Sequence, residues 1–380
     1  MILKPLNDLS LIEEVASSGT APVYLVGGCV RDWFIGETCL DLDFLFPSYP
    51  EKVAAEICRK HGGEYRKFEK FLTIRVLIKG RRIDLACFRK EKYPFPASLP
   101  EVKKAGGVAE DLKRRDFTAN AVALGLKGRR RFEVLDPYKG LEDVKKGELR
   151  ILHKNSFRDD PTRLFRAARF CGRFAWKLEK STAASLKEAV KKKYLQLLSR
   201  ERIRNEILKI LAEKEAFPAL KLLENWGALK DVLPGAKISR KIDGLKDTEM
   251  RLAFLCGSAS VPMESLRSLN LEKKTYKMIA AALKPYVEKR APAGEAGSGQ
   301  RAVLELLCPG KKNVVFSGLL LGPAELKKLG AENIFWNALL ERTAVLQWRG
   351  SLNSREEALK RARKELSVLR AGRRSFGEKS

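Results

Sequence analysis

The sequence predicts an α+β protein with an α/β head at the N-terminus and an all-α remainder. Two observations carry this. Short apolar, partly β-branched runs broken by glycine pairs fill residues 1–145. From Arg158 onward, Leu, Ile and Ala recur at helical spacing among many Lys, Arg and Glu. At 380 residues and 44% hydrophobic content, the chain has material for two or three cores.

Val23 to Val26 reads as a strand, and Gly27-Gly28 interrupts it where the missing Cβ lets a ligand approach the backbone. A helix from Cys29 to Ile35, ended by Gly36, would turn its first N–H groups toward a phosphate on the glycines. In Leu40-Asp41-Leu42-Asp43-Phe44 the acidic and apolar residues alternate, so an extended chain puts both aspartates on one face. Carboxylates roughly 6–7 Å apart along a strand can share hard divalent cations. A two-ion clamp of that kind brings a hydroxyl onto a nucleotide α-phosphate. A lone Gly-Gly is an ordinary turn and a lone Asp-x-Asp a solvated strand face. Together and in this order they point to a phosphate-and-metal site.

Tyr49 to His61 has a helical pattern closed by Gly62-Gly63, and Phe71–Ile78 and Arg82–Phe88 read as strands joined at Lys79-Gly80. Asp84, in the second strand, is either a third carboxylate facing the metal site or a ligand of neighbouring backbone. Residues 92–110 hold three prolines and a Gly-Gly with no period, which predicts a long functional loop. Arg114, Arg115, Asp116 and Asn120 then bunch donors and acceptors suited to phosphate and sugar, although such a cluster is also a common surface ion pair. Phe132–Leu135 predicts a last strand, and Asp136 to Gly140 a turn.

The first predicted helix of the second half, Asp159 to Phe170, places Arg163, Arg166 and Arg169 in one stripe and Leu164, Ala167, Ala168 and Phe170 on the packing side. Such a stripe, with Asp160 ahead of it, can hold base edges and phosphates. Asp160 before Pro161 is equally a good N-cap, and Ser156 resembles the start of a capping box. The stripe is what a cap does not explain. Domain boundaries are expected at 1–145 for the head, 146–215 for a helical neck, 216–290 for a body and 291–380 for a tail, with 291–300 as a linker. The basic stretch from Arg361 to Ser380 is either an RNA contact or a solvated tail.

Lys plus Arg number 75 against 47 Asp plus Glu, a net charge of +28, which suits a partner rich in phosphate. The seven cysteines show no C-x-x-C pair and the chain has two histidines, so the expectation is reduced core thiols in a cytoplasmic protein, without zinc. No run reaches the roughly 18 apolar residues of a membrane span, and no signal peptide or lipid-anchor motif is read. No protein partner is inferred.

Five blocks in order resemble the class II tRNA nucleotidyltransferases, the family that includes bacterial poly(A) polymerases. They are GGCVRDWFIG with DLD at Asp41 to Asp43, RRDFTANA at Arg114 to Ala121, DPYKGLEDV at Asp136 to Val144, DDPTRLFRAARF at Asp159 to Phe170, and RERIRNEILKIL at Arg200 to Leu211. The resemblance implies a nucleotidyltransferase head of polymerase-β type with helical neck, body and tail. It implies that Asp41 and Asp43 bind Mg2+ and activate the RNA 3′-hydroxyl, that Gly28 and Arg31 sit on the nucleotide, and that Arg115 contacts the triphosphate with Asp116 and Asn120 near sugar or phosphate. Asp160 and Arg163 would read the base, extended by Arg166 and Arg169. The implied reaction adds all or part of CCA to tRNA from CTP and ATP without a template. Addition of A alone, addition of CC alone, poly(A) synthesis, and RNA binding without catalysis are the alternatives. Asp159 stands where Glu is common in the family, and Lys139 where a second glycine is. The 93–110 loop looks more like those of enzymes that add only the terminal A.

Overall fold

The structure is a computed structural model describing residues 9–39, 41–289, 298–308 and 319–377, with side chains of the last segment to residue 370. The chain folds as two compact units that divide between Leu198 and Ser199.

The strands of the first unit are β1 (Val23–Val26), β2 (Leu42–Phe46), β3 (Glu64–Phe68), β4 (Thr73–Ile78), β5 (Arg81–Cys87), β6 (Arg89–Lys92), β7 (Glu101–Lys104), β8 (Ala123–Lys127) and β9 (Val134–Leu135). The helices used below are α1 (Leu9–Ser18), α2 (Gly28–Phe34), α3 (Glu51–His61), α4 (Val108–Lys113), α5 (Gly140–Lys146), α6 (Ser156–Asp159) and α7 (Thr162–Phe174). Seven strands form one sheet in the order β3-β4-β5-β2-β1-β8-β9. β2 and β5 run parallel and the other neighbours antiparallel.

The two-residue alternation of the strands sorts the side chains. Leu42, Phe44 and Phe46 of β2 join Leu25, Ile74, Val76, Ile83 and Leu85 in a core with Ile12 and Val15 of α1 and Ala54 and Ile57 of α3. The other face carries Tyr24, Val26, Leu45 and Ala123, packed with Phe88 and Leu112. Asp43 belongs to this second face. Asp84 is its register neighbour on β5. Lys79 and Gly80, both at positive φ (48° and 76°), close the β4–β5 hairpin as a two-residue turn requires.

Four expectations need correction. β2 begins at Leu42, so Asp41 lies in an exposed bend just before the strand and only Asp43 is a strand residue; Leu40 lies outside the described residues. Residues 92–110 are not one long loop. β6 and β7 pair from Arg89↔Lys104 to Lys92↔Glu101, because backbone hydrogen bonds form a ribbon without an apolar period. β3, whose EYRKF sequence shows the same lack of pattern, was not foreseen as an edge strand. The helix expected from Asp159 is broken. Asp160 is extended (φ −135°, ψ 91°), as a residue before proline prefers, and separates α6 from α7.

The second unit is helical. Ser199 caps the helix Arg200–Leu211 by accepting from the Arg202 N–H at 3.3 Å. The helix Thr248–Gly257 is buried on nearly all sides, and its Arg251 donates to the carbonyls of Leu211 (2.8 Å) and Leu245 (2.9 Å), binding helix end and loop together. Leu339, Ala358, Ala362 and Leu366 close a further core between the helices Asn333–Trp348 and Arg355–Gly377. Most of the expected linker 291–300 lies outside the described residues, as do residues 378–380 of the basic tail. All seven cysteines are buried, and none is in a disulfide. Among the described residues no helix is long and apolar enough to cross a membrane.

Gly140, the first residue of α5, lies against the turn that carries the 118–120 segment. A Cβ there would stand 2.0 Å from the Thr118 carbonyl oxygen, which is backbone and cannot step aside. Gly140→Ala is expected to cost about 1–3 kcal/mol, read as a lowered urea midpoint; an unchanged midpoint refutes this packing.

Candidate active site

The site forms where β1 ends. Gly27 takes φ 76°, ψ −132° and its N–H donates to the Val122 carbonyl at 3.0 Å, so the turn is anchored to the chain before β8. A Cβ at Gly27 would stand 2.5 Å from Arg115 Nη1 and 3.7 Å from Asp43 Oδ2, so this is the glycine that lets a guanidinium and a carboxylate close over the backbone. The family resemblance singled out Gly28, which begins α2 and whose Cβ would meet Arg31 Nη2 only at an ordinary 3.5 Å.

Asp43 is partly buried. Burial pushes its carboxyl up to about 6, the charges of Asp84 and Asp41 add to this, and Arg115 and Arg82 oppose it. Asp84 lies beside Asp43 on the same face of the sheet and binds side chains, not neighbouring backbone. It accepts from Arg75 Nε at 2.9 Å and from Arg82 Nε at 3.2 Å, and against the effect of burial these two arginines hold it below its usual range.

Behind the turn runs a buried polar chain. Arg31, 3% exposed, donates from Nη2 to Asp32 at 2.7 Å and from Nη1 to Asn120 Oδ1. Asn120 donates at 3.0 Å to Asp116, whose other oxygen accepts from Arg166 Nε at 2.7 Å. Burial disfavours the Asp116 charge, yet Arg166, Asn120 and Arg163 outweigh it and hold the carboxyl well below the usual range. The Arg31 guanidinium also lies over the rings of Phe170 (4.8 Å) and Phe174 (5.0 Å) of α7. The chain thereby ties α2, which follows the glycines, to α7. Asp32, Phe170 and Phe174 were not read as site residues. Asp32 was visible in the block GGCVRD, but the sequence does not say which face a buried arginine takes.

Asp111, fully buried, accepts from Arg114 Nε (3.1 Å) and Arg115 Nη2 (3.3 Å) and so fixes the direction of both arginines. Asp160 caps α7, accepting from the Thr162 N–H at 3.0 Å and its hydroxyl at 2.6 Å. Ser156 makes no capping box; its hydroxyl accepts from Arg163 Nη1 at 2.7 Å, while Arg163 Nη2 donates to the Arg114 carbonyl at 3.1 Å. Arg166 and Arg169 are half-buried, with Arg169 over Phe170 at 5.0 Å. The segment joining β6 to β7 reaches α6, through the Ala97 N–H to the Arg158 carbonyl (3.0 Å), and α7, through Tyr93 beneath Arg163 (5.9 Å).

Among the described residues no three His, Cys, Asp or Glu side chains cluster as a complete metal site. Asp41 and Asp43 nevertheless fit a hard cation. Mg2+ is commonly held by one or two carboxylates with substrate phosphates completing its shell, and Asp43 carries negative charge that its surroundings penalise.

The "Poly A polymerase head domain" family matches residues 23–150, and the "Probable RNA and SrmB- binding site of polymerase A" family matches residues 176–238. The chain thus carries the head and RNA-binding domains of the poly(A) polymerase family. An A-adding tRNA nucleotidyltransferase of Aquifex aeolicus is 36% identical over 58% of this chain and 26% of its own length. A CC-adding tRNA nucleotidyltransferase of Deinococcus radiodurans is 34% identical over 63% of this chain and 61% of its own. The match thus spans 26% and 61% of these two curated relatives. A solved CCA-adding enzyme with ATP is 25% identical, with a TM-score of 0.65 and 96% of each chain covered. The family head therefore contains the Gly27 turn, Asp41, Asp43 and Arg115, and α7 follows its end.

Two predictions test this geometry. Arg31→Ala would leave Asp32 without its partner and Asn120 without its donor in the interior, and should destabilise by about 3–5 kcal/mol, with Arg31→Lys recovering less than half because an ammonium lacks the fork. Equal urea midpoints for wild type and Arg31→Ala would refute the bridge. For Asp43, the folded value near 6 lies above the ordinary carboxylate value of about 4. Protonation therefore favours the fold, and stability present below about pH 4 is lost as pH rises through about 6. In EDTA at pH 7.5, Asp43→Asn should be more stable than wild type by about 1–3 kcal/mol, the difference vanishing near pH 4. A less stable variant at pH 7.5 would contradict it.

Proposed function

We propose that this chain is a template-independent tRNA nucleotidyltransferase that adds all or part of the 3′-terminal CCA from CTP and ATP, releasing pyrophosphate. The observation that carries the reading is the convergence of Asp43 and Arg115 on the Gly27 turn, with α7 bound to that turn through Arg31, Asn120 and Asp116. Binding RNA alone requires no carboxylate held at a disfavoured charge beside a glycine turn.

A divalent cation is general to the family, and Mg2+ is proposed here on Asp41 and Asp43. When bound, it supplies charge that lowers the nucleophile's pKa and neutralises the α-phosphate. Arg115, aimed by Asp111, contacts the triphosphate over Gly27 and Gly28. Arg31, Asp116 and Asn120 act from behind, keeping α7 at a fixed distance from the glycines. At the start of α7, Asp160 and Arg163 meet the base by exchanging their present partners Thr162 and Ser156, and Arg166 and Arg169 continue the nucleotide pocket. The site would work in the cytoplasm, on tRNA.

A narrower reading, addition of the terminal A alone, is favoured by the 93–100 segment, whose Pro-x-x-Leu-Pro pattern from Pro96 to Pro100 sits on a ribbon joined to the base-reading region. The test is incorporation on tRNAs ending before CCA, after C and after CC, with Mg2+ and CTP and ATP singly and together. Both nucleotides entering in order supports full CCA synthesis. A entering only the CC end supports the narrower reading, long A tracts indicate a poly(A) polymerase, and no incorporation refutes the enzyme. Asp43→Ala should lower incorporation by more than about a thousandfold with tRNA affinity little changed; surviving activity would remove Asp43 from the metal site.

A further inference from the structure

In-line displacement at the α-phosphorus requires the attacking hydroxyl and the leaving pyrophosphate on opposite sides. Gly27 and Arg115 lie on the β1 side of β2. The opposite side is the face of β5, β4 and β3, and it carries a row in register: Asp43 beside Asp84, Asp84 beside Arg75, Arg75 beside Arg66. With neighbouring strands about 4.8 Å apart, Arg75 stands about 10 Å and Arg66 about 14 Å across the sheet from Asp43. Arg82, two residues before Asp84, shares the face.

These side chains are accessible. Arg66 is exposed, and the side chains of Arg75 and Arg82 are 36% and 42% exposed. Asp84 supplies one carboxylate against three guanidiniums. Phe68 lies 5.5 Å from Arg66 and 5.3 Å from Arg75 and holds the two cations side by side. Like charges directly opposite one another destabilise a sheet, so folding does not explain an arginine facing an arginine.

We infer that the β3–β4–β5 face beside Asp43 is the RNA side of the site, where Arg82, Arg75 and Arg66 hold the 3′-terminal phosphates of the acceptor strand. The inference rests on the proposed nucleotidyl transfer, because the in-line requirement assigns the side. A terminal hydroxyl at Asp43 puts its preceding phosphates over these three arginines.

The test is Arg66→Glu and Arg66→Gln in the full chain. A glutamate opposite Arg75 makes a complementary cross-strand pair, so the melting temperature should not fall. Dissociation constants for tRNA lacking its CCA end are measured in EDTA, where no turnover occurs. Arg66→Glu should weaken binding about tenfold, Arg66→Gln less, and each should flatten the log Kd against log salt slope by about 0.7–0.9. The KM for ATP and CTP should change less than twofold. Unchanged tRNA affinity and slope would overturn the inference, and so would a nucleotide KM rising as much as the tRNA Kd. Failure of the enzymatic reading is seen separately, as no incorporation by the unaltered protein, and the binding measurements still decide the role of the row.

Discussion

The first unit depends on the interaction of a buried arginine with two elements far apart in sequence. Arg31 is covered by the Phe170 and Phe174 rings and bonded to Asp32 and Asn120. Asn120 passes the constraint to Asp116, and Asp116 to Arg166. An ionic group removed from water is tolerated only where its donors and acceptors are met, so the position of α7 against the glycine turn is fixed to within hydrogen-bond tolerance. A purely apolar contact would permit sliding. This one does not.

The sheet fixes the other half of the geometry. Asp43 sits on a strand paired on both sides, so its backbone cannot adapt, and the alternation that buries Leu42 and Phe44 commits its side chain to the opposite face. The same face receives Leu112 and the start of the chain segment carrying Arg115. Asp43, Arg115 and α7 thus derive their relation from one sheet and one buried polar chain.

The sequence made much of this legible where apolar periodicity was strong. β1, the β4–β5 hairpin and the helix Arg200–Leu211 follow from an apolar, partly β-branched run, a two-residue turn and an amphipathic stripe. β3, β6 and β7 did not, because their stability comes from backbone pairing and their side chains are mostly charged. In the site, the types and order of Asp43, Arg115 and Arg166 are visible in the blocks. The inward direction of Arg31 and Asn120 is not, since an arginine that grips a ligand and one that grips a neighbouring amide read alike. For Asp84, cross-strand pairing with Arg75 replaces the expected backbone contact, a relation that local sequence does not display.

The arginines of this site share a property with a further consequence. Arg115 is already paired with Asp111, Arg166 with Asp116, and Arg75 with Asp84. Under the proposed function a polyphosphate arriving here would not meet bare cations; it would compete with resident carboxylates for them. Binding would then be an anion exchange, weaker than the net charge of +28 suggests, with the resident carboxylates on hand to reclaim the arginines as a product anion departs.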